Sequence, residues 1–118
     1  TRGDALEDGY QVDISSDAAE AGIKFPVFIT RSVFDQFVAV PPGLSCQDEA
    51  GRIWDIVMML LYAIRASKEA EMERLPFELL VRNSSEGGLT LVRLVAECGP
   101  LDFDDTRPAI TIMLPDED

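Results

Sequence analysis

The apolar residues of this chain change period near residue 76, and that change limits the folds open to it. Before it, from Asp55 to about Ser67, the residues Ile56, Val57, Leu60, Leu61 and Ile64 gather on one broad face of a helix. After it, Pro76 to Arg82 alternates with period two, as do Leu89 to Cys98 and Ala109 to Leu114. Asn83 to Gly88 is the glycine-closed loop of a hairpin, and an acidic loop, Asp102-Phe103-Asp104-Asp105, leads into the third strand. Connections this short favour an antiparallel meander with one face laid on the helix. The fold class is therefore α+β. An antiparallel sheet, made of a C-terminal three-stranded meander and short N-terminal strands, packs on one main helix beside one or two shorter ones. Phe77, Leu79 and Val81 are expected in the core, with one alternate set of Leu89 to Val95.

The first half of the chain is punctuated more finely. Residues 1–9 are polar and broken by glycine, which predicts a loop or a loose turn. Tyr10 to Ile14 suits a short strand, followed by a short helix that Ser15, Ser16 or Asp17 can cap and Gly22 can close. Residues 25–29 form a strand that Pro26 pushes toward a sheet edge. Thr30 caps a further helix, whose Val33, Phe34, Phe37 and Val38 make one stripe before Pro41-Pro42-Gly43 ends it. Leu44 to Asp48 and Arg52-Ile53-Trp54 are expected to pair as a small hairpin, with Gly51 supplying a positive φ in the turn and Asp55 capping the main helix. Met58, Met59 and Tyr62 lie on a second face of that helix, next to Arg65. A helix apolar most of the way round is normally buried on more than one side. The tail Asp116-Glu117-Asp118 is expected to be solvated.

At 118 residues the chain has room for one domain, spanning 1–118 with loose ends, and buries roughly 65% of its unfolded surface. Its 22 acidic residues against 10 basic ones give a net charge of −12. That field repels nucleic acid and attracts a basic protein. Arg52, Arg65, Lys68, Arg74, Arg82 and Arg93 are separated by acids and apolar runs, so no basic cluster offsets it and no direct nucleic-acid binding is expected. The longest apolar run, Ile56 to Ile64, is about half of the roughly 20 residues that span a bilayer, so no membrane insertion is expected. Cys46 and Cys98 are the two cysteines, and they read as reduced thiols of a cytoplasmic protein. The first residue is Thr1, so the native start is expected upstream.

Histidine is absent. Its absence removes the commonest general base, the Ser-His and Cys-His nucleophile pairs and the imidazole metal ligands. Glycine-rich phosphate cradles are missing too. No catalytic residue, cofactor or metal is therefore expected. Asp102, Asp104 and Asp105 form a candidate acidic patch. Its oxygens suit a hard cation, but it lacks the glycine and the distal glutamate of a calcium loop. A solvated loop that blunts the sheet edge accounts for it better. Trp54, Met58 and Tyr62 are the candidate interaction surface, because aromatic anchors and an adaptable methionine suit protein contacts. Cover by a strand or loop of the same chain is the ordinary alternative. Cys98, between Glu97 and Gly99, has no cationic neighbour to lower its pKa and reads as inert.

Several segments carry a resemblance: Ala5 to Gly9, Ala18 to Gly22, Gln47 to Asp55 (Gln-Asp-Glu-Ala-Gly-Arg-Ile-Trp-Asp), and the closing Ile110-Thr111-Ile112-Met113-Leu114-Pro115-Asp116-Glu117-Asp118. Together the chain resembles a family of short acidic bacterial proteins of unknown function, often encoded on plasmids, phages and integrative elements. It departs from that pattern at Val40 to Ser45. The resemblance implies a cytosolic bacterial setting among mobile-element accessory genes, a start a little before Thr1, and no activity or cofactor to carry over. The expected function is a non-enzymatic accessory or protein-interaction domain with a protein partner of basic character; a homodimer stays open. The alternative is an acidic anti-defence inhibitor that mimics DNA, of anti-restriction or anti-CRISPR type. More remote is a small carboxylate-dependent hydrolase, which would need a concave pocket holding carboxyls of raised pKa.

Overall fold

The computed structural model describes residues 1–67, 73–84 and 86–117. In chain order they form α1 (Arg2–Glu7), β1 (Gln11–Asp13), α2 (Ser15–Ala21), β2 (Val27–Thr30), α3 (Arg31–Val33) running on into a π-helical turn (Phe34–Val38), α4 (Glu49–Ala66), β3 (Arg74–Ser84), β4 (Gly88–Asp102) and β5 (Asp105–Met113). The strands make one sheet in the order β1-β2-β5-β4-β3. The C-terminal meander is as its period predicts: β3 pairs β4, and β4 pairs β5, both antiparallel. The N-terminal strands join it differently from the fully antiparallel expectation. β1 and β2 form an antiparallel pair, but β2 lies parallel to β5, with Phe28 opposite Thr111. The long connection from β2 through α3, α4, β3 and β4 is the kind of crossover that a parallel pair requires.

β2 is thus an interior strand and not an edge. Pro26 sits just before it, where its missing N–H breaks no ladder bond, and its carbonyl accepts the Ile110 N–H at 2.9 Å. One sheet face carries the core. Val27, Ile29, Phe77, Leu79, Val81, Val92, Leu94, Ala96, Ile110 and Ile112 alternate onto it and meet Ile56, Val57, Leu60 and Leu61 of α4, with Ala18 of α2 and Val33 and Val38 of the third helix. β5 ends at Met113, opposite Val95, so β3 and the first half of β4 extend past it as a two-stranded arm. Leu80, Leu89 and Leu91 stand exposed on the back of that arm.

Three local expectations fail. The hairpin over residues 44–54 does not form; α4 begins at Glu49, and its N-cap is Asp48 rather than Asp55. The Asp48 Oδ1 accepts the Gly51 N–H at 2.6 Å. That bond satisfies one of the free amides of the first turn, so Asp48-Glu49-Ala50-Gly51 is a helix start and not a hairpin turn. The inward face continues back from Ile56 through Ile53 to Arg52, and it is the buried arginine that hides this continuation in the sequence. Residues 2–7 are a helix rather than a loop, and its stability comes from far along the chain. The Asp102 carboxylate accepts the Arg2 and Gly3 N–H groups, each at 3.0 Å, while the Arg2 guanidinium lies 4.3 Å over the Phe28 ring and donates to Gln11 Oε1 at 2.9 Å. The tail is also tied: Glu117 Oε2 accepts the Thr30 hydroxyl and the Leu114 N–H, both at 2.8 Å. Asp118 lies outside the described residues.

Candidate functional site: the outer face of the long helix

Residues spaced by four fall on one stripe of an α-helix, so Trp54, Met58 and Tyr62 line up over about 12 Å of axis. The opposite stripe of α4 is occupied by Ile56, Val57 and Leu60, all fully buried. Trp54 is 38% exposed, Met58 39% and Tyr62 70%, with Met59 beside them at 37%. No strand or loop among the described residues buries these side chains. The intervening positions on this face are Gly51, Asp55, Arg65 and Ala66, so a single carboxylate and a single guanidinium interrupt it. On a chain of net charge −12, this is a nearly neutral, apolar surface. It continues at one side into an open groove of about 840 Å³, lined by Met59, Tyr62 and Ala63 of α4 and by Leu75, Phe77 and Leu94 of the sheet.

One residue that the sequence did not mark as special organises the other end of α4. Arg52 is only 4% exposed. Its guanidinium donates to Gln47 Oε1 at 3.2 Å, to the carbonyls of Phe37 at 3.4 Å and Ala39 at 3.0 Å, to the Arg82 carbonyl, and to Asn83 Oδ1 at 2.7 Å. Asn83 Nδ2 donates in turn to the Gln36 carbonyl at 2.9 Å. All of these acceptors are neutral, and burial lowers the Arg52 pKa from its ordinary value. The planar fork of donors suits this task, since it reaches several carbonyls that converge from different elements. Arg52 therefore ties the π-helical turn to the end of β3, and its donors are used up internally. The signal for it was the Gln47-Asp48-Glu49-Ala50-Gly51-Arg52 segment itself, which the structure uses as cap, first turn and anchor.

That segment belongs to a pattern that runs the length of the chain. The chain is a member of the family of unknown function DUF6573, matched over residues 1–118. No curated protein and no solved structure matches it.

The second candidate, the acidic loop, is placed by the β4–β5 turn. Asp102 accepts three backbone N–H groups, those of Arg2, Gly3 and Phe103, and these bonds hold its carboxyl below the ordinary range. Asp105 is bound by the Arg107 guanidinium at 2.5–3.1 Å and by the Arg107 N–H at 3.1 Å, which lower its pKa to about 2. Asp104 is exposed at the turn. Two of the three acids thus have internal partners, and the loop is a latch on α1 as much as a charged patch. Among the described residues no group of three acidic or cysteine side chains is disposed to hold a metal ion. Cys46 and Cys98 are unpaired thiols, and partial burial pushes the Cys98 thiol up from its ordinary value. No helix is long and apolar enough to cross a membrane among the described residues.

Proposed function

We propose that this chain is a non-enzymatic protein-binding domain whose contact surface is the outer face of α4. The observation that carries this is the exposed stripe of Trp54, Met58 and Tyr62, on a helix that already buries a complete face in the core. Indole, phenol and thioether groups left in water gain most from burial against a partner, and aromatic anchors of this kind dominate binding energies. The partner presents an apolar cleft, as helix-in-groove recognition requires. The surrounding acidic field favours a cleft with a basic rim, through faster encounter more than through tighter contact. The setting in this reading is the bacterial cytosol, with the protein acting as an accessory to a mobile element, as the family resemblance implies.

The test is partner capture with Tyr62→Ala and with the triple change Asp102→Asn, Asp104→Asn, Asp105→Asn, at low and high salt, each variant first checked for folding by circular dichroism. The expected result is loss of capture on Tyr62→Ala, a small effect of the triple change and a shallow dependence on salt. Steep loss with salt, together with unimpaired capture by Tyr62→Ala, would refute this function and favour the DNA-mimic alternative.

A further inference from the structure

A sheet that packs its core on one face commonly carries polar side chains on the other. The back of the β3–β4 pair begins that way: Arg74 lies opposite Glu97, and Glu78 opposite Arg93. Beyond Glu78 the pattern breaks. Leu80 and Leu91 are cross-strand partners on the back face, and Leu89 follows two residues from Leu91. They are 56%, 55% and 56% exposed, in that order of Leu80, Leu91 and Leu89. Leu80 and Leu89 also border the small cleft beside Arg52, yet more than half of each stays in water. On the front face Phe77, Leu79, Val81, Val92 and Leu94 already complete the core with α4, so the leucines behind are surplus to it. Adjacent exposed leucines at positions that suit charge mark a contact face.

What covers this face follows from its own pattern. One row across the arm is two leucines, Leu80 and Leu91, and the next is an acid beside a base, Glu78 and Arg93. A two-fold axis running along the arm, between β3 and β4, exchanges the two strands. It lays Leu80 on the second copy's Leu91 and Glu78 on the second copy's Arg93. The face is therefore complementary to itself, as a symmetric pair requires. Within one copy the Glu78–Arg93 contact is loose, at 4.0 Å with both side chains more than half exposed, so each group has capacity for a second partner. In the pair the four charges alternate in sign around the axis. Acid and base balance on this face, so two copies meet here without the repulsion that a net charge of −12 imposes on the chain as a whole. Sheets packed face to face stand about 10 Å apart, a gap that opposing leucines fill. α1 leaves the face clear, because its latch at Asp102 lies roughly 35 Å along β4 from Leu91. The tail is held lower on the arm, where Arg74 donates to the Pro115 carbonyl at 3.0 Å.

We infer that the back of the β3–β4 arm is the interface of a reversible homodimer, with Leu80 against the second copy's Leu91 and Glu78 against its Arg93. Glu78, Leu80, Leu89, Leu91 and Arg93 together expose on the order of 500 Å² per copy, below the roughly 800 Å² per partner of a tight interface and in the range of transient ones. The pair is accordingly weak and concentration-dependent. This goes beyond the proposed function and does not depend on it. α4 lies on the front of each arm, so the pair presents its two outer α4 faces on opposite sides. A partner with two clefts then gains from both at once.

Sedimentation equilibrium from about 1 μM to about 1 mM reads the association. The native chain is expected to double its mass reversibly within that range. Leu91→Lys should leave it monomeric throughout, with the circular dichroism spectrum and urea midpoint kept, because the position is exposed. Lysine also lowers the net negative charge, so general repulsion does not account for the loss. Glu78→Arg and Arg93→Glu should each weaken self-association about ten-fold or more, by setting like charges face to face. Mixed in equal amounts, these two variants should pair with each other at close to the native strength, since every contact then joins an acid to a base again. A native chain still monomeric at about 1 mM overturns the inference. So does a dimer that survives Leu91→Lys, or a mixture of the two charge variants that stays as weak as its parts. A dimer lost on Tyr62→Ala and kept by Leu91→Lys overturns it in favour of pairing through α4.

Discussion

Replacing Arg52 by methionine keeps an unbranched stem of similar length and removes every donor of the guanidinium. Five oxygens lose their partner at once: the carbonyls of Phe37, Ala39 and Arg82, and the side-chain oxygens of Gln47 and Asn83. The two side chains can turn toward water. The three carbonyls are fixed by the π-helical turn and by β3, and an orphaned buried acceptor costs about 1–3 kcal/mol. Against this stands relief from burying a charge that has no counter-ion among the described residues, which offsets part of the loss. The net expectation is a destabilisation of about 2–4 kcal/mol, a large share of the roughly 5–15 kcal/mol that holds a domain of this size. Urea titration followed by circular dichroism reads it as a lowered midpoint at unchanged slope. Arg52→Lys should recover only about 1 kcal/mol of the deficit, because an ammonium lacks the fork that spans several carbonyls. A methionine variant within about 1 kcal/mol of the native chain would mean that water can satisfy these carbonyls, and that Arg52 is not the tie described here.

Leu60 is fully buried beneath α4, so Leu60→Ala should cost about 2–5 kcal/mol in the same titration. Tyr62→Ala, at an exposed position, should shift stability by no more than about 0.5 kcal/mol; a larger loss would place Tyr62 in the fold rather than on its surface. The depressed carboxyls of Asp102 and Asp105 set an acid limit. A group whose pKa is lowered by folding stabilises above its unfolded value and loses that contribution as pH falls through its folded one. The contribution of the Asp105–Arg107 contact, with Asp105 at about 2, should therefore be complete above about pH 4 and fade between pH 4 and 2. In thermal melts the gap between the native chain and Asp105→Asn should close over that window. Asp102→Asn should in addition raise amide exchange at Arg2 and Gly3, and unchanged exchange there would show that α1 does not depend on this latch.

What could be read from the sequence was what repeats locally. Phe77, Leu79 and Val81 face the core because period-two alternation has one outcome once a sheet is covered on one side. Thr30 and Gly22 take their expected capping roles, and the Trp54, Met58 and Tyr62 stripe follows from the helical repeat alone. What stayed hidden depends on partners distant in the chain. Residues 2–7 look like a loop until Asp102 supplies acceptors for their amides. Nothing near Val27 shows that its neighbour is Ile110, in parallel. Arg52 appears as one more surface charge until the π-helical turn and β3 converge on it. The start of α4 is ambiguous in the sequence because two aspartates, Asp48 and Asp55, can each cap a helix, and the choice between them rests on whether Arg52 and Ile53 face inward.

The parallel pair of β2 with β5 also bears on how the chain is made. During synthesis α4, β3 and β4 emerge together and can associate through neighbours close in sequence, which is the fast part of the problem. β2 has no such option. Its apolar residues Val27, Phe28 and Ile29 leave the ribosome early and wait, with one edge unpaired, until Ile110 to Ile112 arrive. A nascent chain of this family thus carries a short hydrophobic strand exposed for as long as the residues between β2 and β5 take to be made, and a stop codon just before β5 would leave it so permanently. Truncations there should yield aggregates rather than a smaller folded domain, because the fifth strand of this sheet is the one that closes its middle.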